Sequence, residues 1–322
     1  MNKISHFILH SWVATAIAAL LCMGVWVITL IQGETDSPLS YLNPVLYVGV
    51  GILVAIHENE HKGIGRHRFT LPATLFFMTC ALNPQLAPWQ GGILCLILLA
   101  AAYRLLLGTY RHPVAMGSYY AAFLLAGTAS LVAPQLLYLL PALLLCSSFM
   151  QSLHLRTALA ALFGALTPYW TAFCVLFLTD STHLITPFVD ELTDSALPRL
   201  LLLQVPLGRG DTFALPMTVV QLAWTLMLVL PAAVYHLKST TKVRSRAGRL
   251  MQLCLMGLLL AAMLALPALR APLQPTVVSL TAILSHGFFT PAGKGRNIWL
   301  IVLLSLWLLI LGLYVWNSYL TY

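Results

Sequence analysis

Long apolar stretches separated by short polar breaks run the length of the chain. Eleven such runs are readable, at roughly 11–32, 43–57, 69–84, 90–107, 114–133, 135–150, 157–178, 213–237, 250–269, 275–290 and 297–318. They are continuous rather than alternating; "IVLLSLWLLILGLYVW" at 301–316 has no period of two. Continuous apolar runs predict helices, whereas a membrane barrel needs segments of about ten residues with alternating polarity. Inside lipid only helices and closed barrels satisfy every backbone N–H and C=O. The pattern therefore predicts an all-α, polytopic transmembrane helical bundle. Crossing the hydrocarbon core takes about 20 residues, and the runs at 43–57, 69–84, 135–150 and 275–290 fall short of that. Some of these four are expected as tilted pairs, re-entrant hairpins or interfacial segments, which sets the number of spans at about nine to eleven.

Composition narrows the picture. The chain has 322 residues, 60% hydrophobic and 8% charged, with a mean hydropathy of +0.87. A soluble domain carries about 25% charged residues, so there is too little polar surface here to cover a water-soluble globule. Residues 1–322 are expected to form a single integral membrane domain. The six cysteines, Cys22, Cys80, Cys95, Cys146, Cys174 and Cys254, all lie in apolar runs and none forms a C-x-x-C pair. They read as small buried hydrophobes rather than a disulfide framework or a zinc ribbon. The start "MNKISHFILHSW" is basic but lacks a small-residue cleavage site. Residues 11–32 are therefore expected as a retained first span.

Charge orients the bundle. With the N-terminus cytosolic and eleven crossings, the inner loops hold fourteen of the 17 basic residues, among them Arg104, Arg111, Arg156 and the Lys238–Arg249 group. Arg199, Arg209 and Arg270 fall outside, with seven of the 9 acids: Glu34, Asp36, Asp180, Asp190, Glu191, Asp194 and Asp211. This is the bias of the positive-inside rule, and it predicts a multi-pass protein of a bacterial inner membrane. The net charge of +8 is thus a topology signal, with anionic lipids expected at the cytosolic basic loops. No basic stripe is interleaved with exposed aromatics, so nucleic acid is not an expected partner. Trp89, Trp299 and Trp316 sit at the ends of runs, where amphipathic rings prefer the headgroup level.

Two stretches invite chemistry. "HENEH" at 57–61 fits H-E-x-x-H, which would make His57 and His61 zinc ligands and Glu58 a general base. Against this, Glu60 and Lys62 intrude on the flanks, "KGIG" at 62–65 ends the helix at once, and no other acid lies on the cytosolic side to complete the ligand set. The favoured reading is the polar cap of a span, with the metalloprotease ranked last and no cofactor evident. The ten histidines lie mostly near the inner face rather than deep in the spans, which argues against a proton-coupled pump. The second stretch is the longest loop, 179–212, expected in the periplasm with the apolar "LPRLLLLQVPLG" lying on the interface. Arg199, Arg209 and Arg270 either pair with nearby acids or clamp a phosphate bidentately. In the second case Glu34, Asp36, Asp190 and Glu191 are candidate catalytic carboxylates, with His183 and Tyr169 beside the substrate.

The segments "RHRFTLPATLFFMTCALNP" (66–84), "YRLLLGTY" (103–110), "GSYYAAFLLAGTASLVAPQLLYLLPALLL" (117–145) and "LHLRTALAALFGALTPYW" (153–170) follow one another in an order that resembles a Bacteroidetes family of uncharacterised multi-spanning inner-membrane proteins. The resemblance covers about 60–175, and Arg156, Gly164, Pro168 and Tyr169 carry its most specific part. It implies fold and location but no activity. Physically, Gly164 would let helices approach closely, Pro168 would kink its helix, and Arg156 could hold lipid phosphates. A looser, architectural likeness to enzymes acting on polyprenyl-linked saccharides suggests glycosyl or phosphoryl transfer at the periplasmic face. A second reading is a small-molecule or lipid transporter or flippase, for which the short Pro-flanked runs at 43–57 and 69–84 are the pointer. A third is a non-catalytic partner in envelope assembly.

Overall fold

A computed structural model of the chain describes residues 11–32, 39–60, 71–83, 86–88, 91–112, 115–181, 183, 185–186, 188–190, 192–193, 214–239, 243–265, 269–289 and 294–320. Among these residues every element is helical. Each apolar run carries an α-helix: α1 (Trp12–Gln32), α2 (Leu39–Glu60), α3 (Leu71–Ala81), α4 (Gly92–Leu107), α5 (Met116–Val132), α6 (Leu139–Ser147), α7 (Leu155–Leu178), α8 (Ala214–Ser239), α9 (Val243–Ala265), α10 (Arg270–Phe289) and α11 (Lys294–Leu320). Two of them, Trp12–Ile31 and Leu155–Leu178, are long and apolar enough to cross a membrane by length and composition over the described residues.

Helix ends depart from the hydropathy boundaries for local reasons. α2 begins before its apolar run and carries Pro44 inside the helix, past its first turn, where proline removes one intrahelical hydrogen bond and favours a bend. α9 begins with the basic turns "VRSRAGR", since charge stops a hydropathy window but not a helix. The 135–150 run is three pieces, with 3₁₀ turns Pro134–Tyr138 and Ser148–Met150 flanking α6.

The chain forms two compact units. The first comprises Met1–Trp89, Leu207–Lys238 and Val278–Tyr322; the second comprises Gln90–Pro206 and Ser239–Val277.

The second unit is organised by α5 against α7. Gly164 puts bare backbone against the Tyr120 carbonyl, and a Cβ at Gly127 would stand 2.7 Å from the Ala165 carbonyl oxygen and 3.0 Å from the Pro168 ring. Two glycines, one on each helix, thus set the close approach expected at Gly164. Pro168 lies inside α7, and the Thr171 hydroxyl donates to its carbonyl (2.9 Å). Around this pair a core forms from Tyr103, Leu106, Tyr119, Phe123, Leu143 and Met251 with their neighbours.

One end of this unit is fastened by hydroxyls. Tyr119 Oη and Ser152 Oγ lie 3.1 Å apart, the Ser152 hydroxyl donates to Thr109 Oγ1 (3.0 Å), and the Thr109 hydroxyl donates to the Leu106 carbonyl (2.7 Å). Beside this chain Arg111 and Gln151 both have left-handed backbone, with φ of 53° and 56°, a conformation that costs long side chains energy. The cost is offset locally. Arg111 Nε donates to Gln151 Oε1 (2.8 Å), and the Arg111 N–H donates to the Met150 carbonyl (3.0 Å).

Candidate functional site

Among the described residues of the first unit, a dense set of polar contacts surrounds α3. This helix is only 11 residues long, and every one of them is buried. A helix apolar on all sides belongs in an interior. Pro72 falls in its first turn, where its lack of an N–H is harmless. The other end is harder to satisfy, because the last four carbonyls of any helix lack intrahelical donors and carry the negative end of its dipole.

Here side chains supply the donors, all but Asn83 from distant segments. The Trp307 indole donates to the Met78 carbonyl (2.8 Å), Asn83 Nδ2 to the Thr79 carbonyl (2.6 Å), the Trp26 indole to the Cys80 carbonyl (3.3 Å), and Gln221 Nε2 to the Leu82 carbonyl (3.2 Å). The Trp224 indole donates to Thr79 Oγ1 (3.2 Å), whose own proton goes to the Leu75 carbonyl (2.8 Å). The chain then continues through 86–88, where one amide group, Asn43 Nδ2, lies within 2.7, 3.1 and 3.2 Å of the carbonyls of Leu86, Ala87 and Pro88. Thr15 and Thr74 share a buried hydroxyl contact of 2.9 Å. Trp26, Tyr47 and Phe76 pack edge-on and then stacked, at 4.8 and 6.3 Å between ring centres. The second part of α10 adds buried Ser279, Thr281 and Ser285 to the same unit. The donors and acceptors named here are all neutral, and each donor is engaged with a carbonyl or hydroxyl of the protein.

The residues singled out from the sequence fall elsewhere, and the described ones do not converge. Tyr169 is half-buried on α7. Its hydroxyl lies 2.6 Å from Ser130 Oγ, which also donates to the Gly127 carbonyl (2.7 Å), and its ring meets Phe188 edge-on at 6.1 Å. Arg270 opens α10, and its Nε donates to the Met263 carbonyl (3.2 Å). It thereby caps the last turn of α9, a common use of arginine at a helix C-terminus, where an ion pair or a phosphate clamp was expected. His183 and Asp190 are exposed. Their segment is fastened to the second unit by Phe188 and by the Tyr138 hydroxyl, which donates to the Leu192 carbonyl (3.1 Å). Glu34, Asp36, Glu191, Arg199 and Arg209 lie outside the described residues, as does His61. The backbone of His57 and Glu58 forms the last turn of α2, while their side chains are outside the described set. Among the described residues no group of three His, Cys, Asp or Glu side chains is placed to hold a metal.

The sequence reading missed Asn43, Gln221 and the three mid-run tryptophans. The available signal was each tryptophan's position: a ring with a polar N–H in the middle of an apolar run needs an acceptor. Compared with known proteins, the chain matches no family, no curated protein and no solved structure.

Proposed function

We propose that the chain is a multi-spanning membrane protein, N-terminus cytosolic, that carries an uncharged, hydroxyl-bearing solute or lipid head group through the polar interior of its first unit. The observation that supports membrane residence is an inverted distribution of side chains. Large apolar residues stand exposed along α1, α2, α7, α8 and α11, with Leu20 at 71%, Ile31 at 78% and Leu178 at 83%. The buried polar residues among those described are Ser, Thr, Asn and Gln, without a charge. In water an exposed apolar surface this extensive would aggregate; against lipid it is the expected outer face, and neutral polar groups belong between helices. Seven helices run 20 to 27 residues, which is about 30 Å or more at a rise of about 1.5 Å per residue. The inner-membrane location rests on the charge bias and on the resemblance to the Bacteroidetes family.

Carriage is favoured over transfer chemistry by α3. A short buried helix that ends among neutral donors is the kind of broken span at which carriers bind. Of the residues required by the phosphate-clamp reading, Arg270 is engaged as a helix cap and Tyr169 with Ser130, while Asp190 and His183 are exposed.

The test uses proteoliposomes containing the full chain and a fluorescent neutral glycolipid, with a membrane-impermeant quencher added outside. Carriage expects the inner-leaflet fraction to become quenchable at a rate proportional to protein, with the lipid recovered unchanged and the rate reduced by Asn83→Leu. If that fraction stays protected at every protein density, the carriage reading fails for such lipids. A glycolipid recovered with its saccharide cleaved or transferred returns precedence to the enzyme reading at the periplasmic face.

A further inference from the structure

Two thiols meet inside the second unit. Cys146 on α6 and Cys254 on α9 are 108 positions apart in sequence, yet their Sγ atoms are 3.3 Å apart. Both are free, and the gap is well beyond the about 2.05 Å of a disulfide bond. The same core holds two thioethers close along the chain. Met150 follows Cys146 by four positions on the adjoining 3₁₀ turn, Met251 precedes Cys254 by three on α9, and both methionines are buried, at 1% and 0% exposure.

We propose that Cys146 and Cys254 form a binding site for Cu(I), with Met150 and Met251 of the same core as candidate thioether ligands. Thiolate and thioether sulfur are the ligands that select this soft cation over oxygen- and nitrogen-preferring divalent ions. A structural zinc site would call for four nitrogen, sulfur or carboxylate ligands, and no group of even three His, Cys, Asp or Glu is placed for that among the described residues. In the metal-free state the Cys146 thiol donates to Cys254 Sγ. On loading, two S–H bonds break, two Cu–S bonds form, and two protons leave to solvent. Copper stays Cu(I) throughout, and the sulfurs move apart by side-chain rotation to admit it. The site belongs to the second unit and does not depend on carriage through the first.

The experiment offers the purified, reduced full-length chain Cu(I) as its bicinchoninate complex under anaerobic conditions. The chain is expected to withdraw one Cu(I), release two protons per ion, and give an X-ray absorption spectrum with only sulfur in the first shell. Cys146→Ser and Cys254→Ser should each lose stoichiometric uptake, whereas Cys22→Ser should keep it. Met150→Leu and Met251→Leu should each weaken binding about tenfold, the lower end of what groups around a bound metal contribute. No withdrawal by the wild type, unchanged uptake in the double serine variant, or nitrogen or oxygen in the copper shell would overturn the site. So would a chain whose Cys146 and Cys254 are joined in a disulfide that resists the reductant. Should the serine variants fail to fold, the wild-type copper shell and proton count decide alone.

Discussion

Replacing Trp307 with Phe should destabilise the protein by about 1–3 kcal/mol, the cost of leaving a buried acceptor without its donor, and Trp307→Ala by about 3–5 kcal/mol once the vacated ring volume is added. Trp307 is 3% exposed, and its indole N–H is the shortest of the three indole contacts at the end of α3. Met78 is itself buried, so its carbonyl, at the negative end of a helix dipole, loses a donor that a phenyl ring cannot replace. The measurement is unfolding of the detergent-solubilised chain followed with a thiol-reactive dye, since Cys22, Cys80, Cys95 and Cys146 are buried. Trp170→Phe is the control: that ring is 69% exposed, and its replacement should be nearly neutral. Equal effects at the two positions would mean that the indole donors do not hold α3.

Gly164→Ala should cost about 1–3 kcal/mol, and Gly164→Leu more, by overpacking the contact between α5 and α7. A Cβ at Gly164 runs into the Tyr120 carbonyl and lies 3.1 Å from the Leu124 nitrogen. Both are backbone, which yields only if the helices separate. Gly127→Ala acts on the same interface, so the two substitutions together should cost less than their separate sum. The contrast lies along other helices. At Gly24, Gly257 and Gly312 an added Cβ would meet nothing within 4 Å, so alanine there should be neutral or stabilising by up to about 1 kcal/mol through helix propensity. The same dye-based unfolding assay ranks all of these variants. Comparable losses at Gly164 and Gly24 would contradict a glycine-mediated approach.

Hydrophobic pattern made the helices legible because each apolar run is long, continuous and bounded by polar residues. It also exposed α3 as too short to span, while Gly164 was marked as a site of close approach by the motif of the resemblance over 153–170. The donors to α3 were not legible. Trp26, Trp224 and Trp307 sit 54, 145 and 229 positions from the residues they bond, and nothing local to an indole tells which carbonyl it will meet. The Cys146–Cys254 contact was hidden in the same way, because free cysteines in apolar runs read individually as small hydrophobes. Arg270 shows what spacing alone does not reveal. Its place among acids in a loop-rich region suggested an anion clamp, whereas its distance of seven positions from Met263 lets it fold back onto the end of the preceding helix. The carboxylates at Glu34, Asp36 and Glu191, and the arginines Arg199 and Arg209, fall outside the described residues and stay sequence-based candidates.

Membrane embedding with the basic segments inside is the claim on which both the carriage reading and the side assigned to every loop depend. Single cysteines introduced at Ser181 and at Ser239, in a chain lacking its six native cysteines, test it most directly with a membrane-impermeant maleimide on intact cells. The expected result is labelling of Ser181→Cys without permeabilisation and of Ser239→Cys only after it, with both chains extracted by detergent alone. The reverse pattern, or recovery of the chain in the soluble fraction, would contradict it.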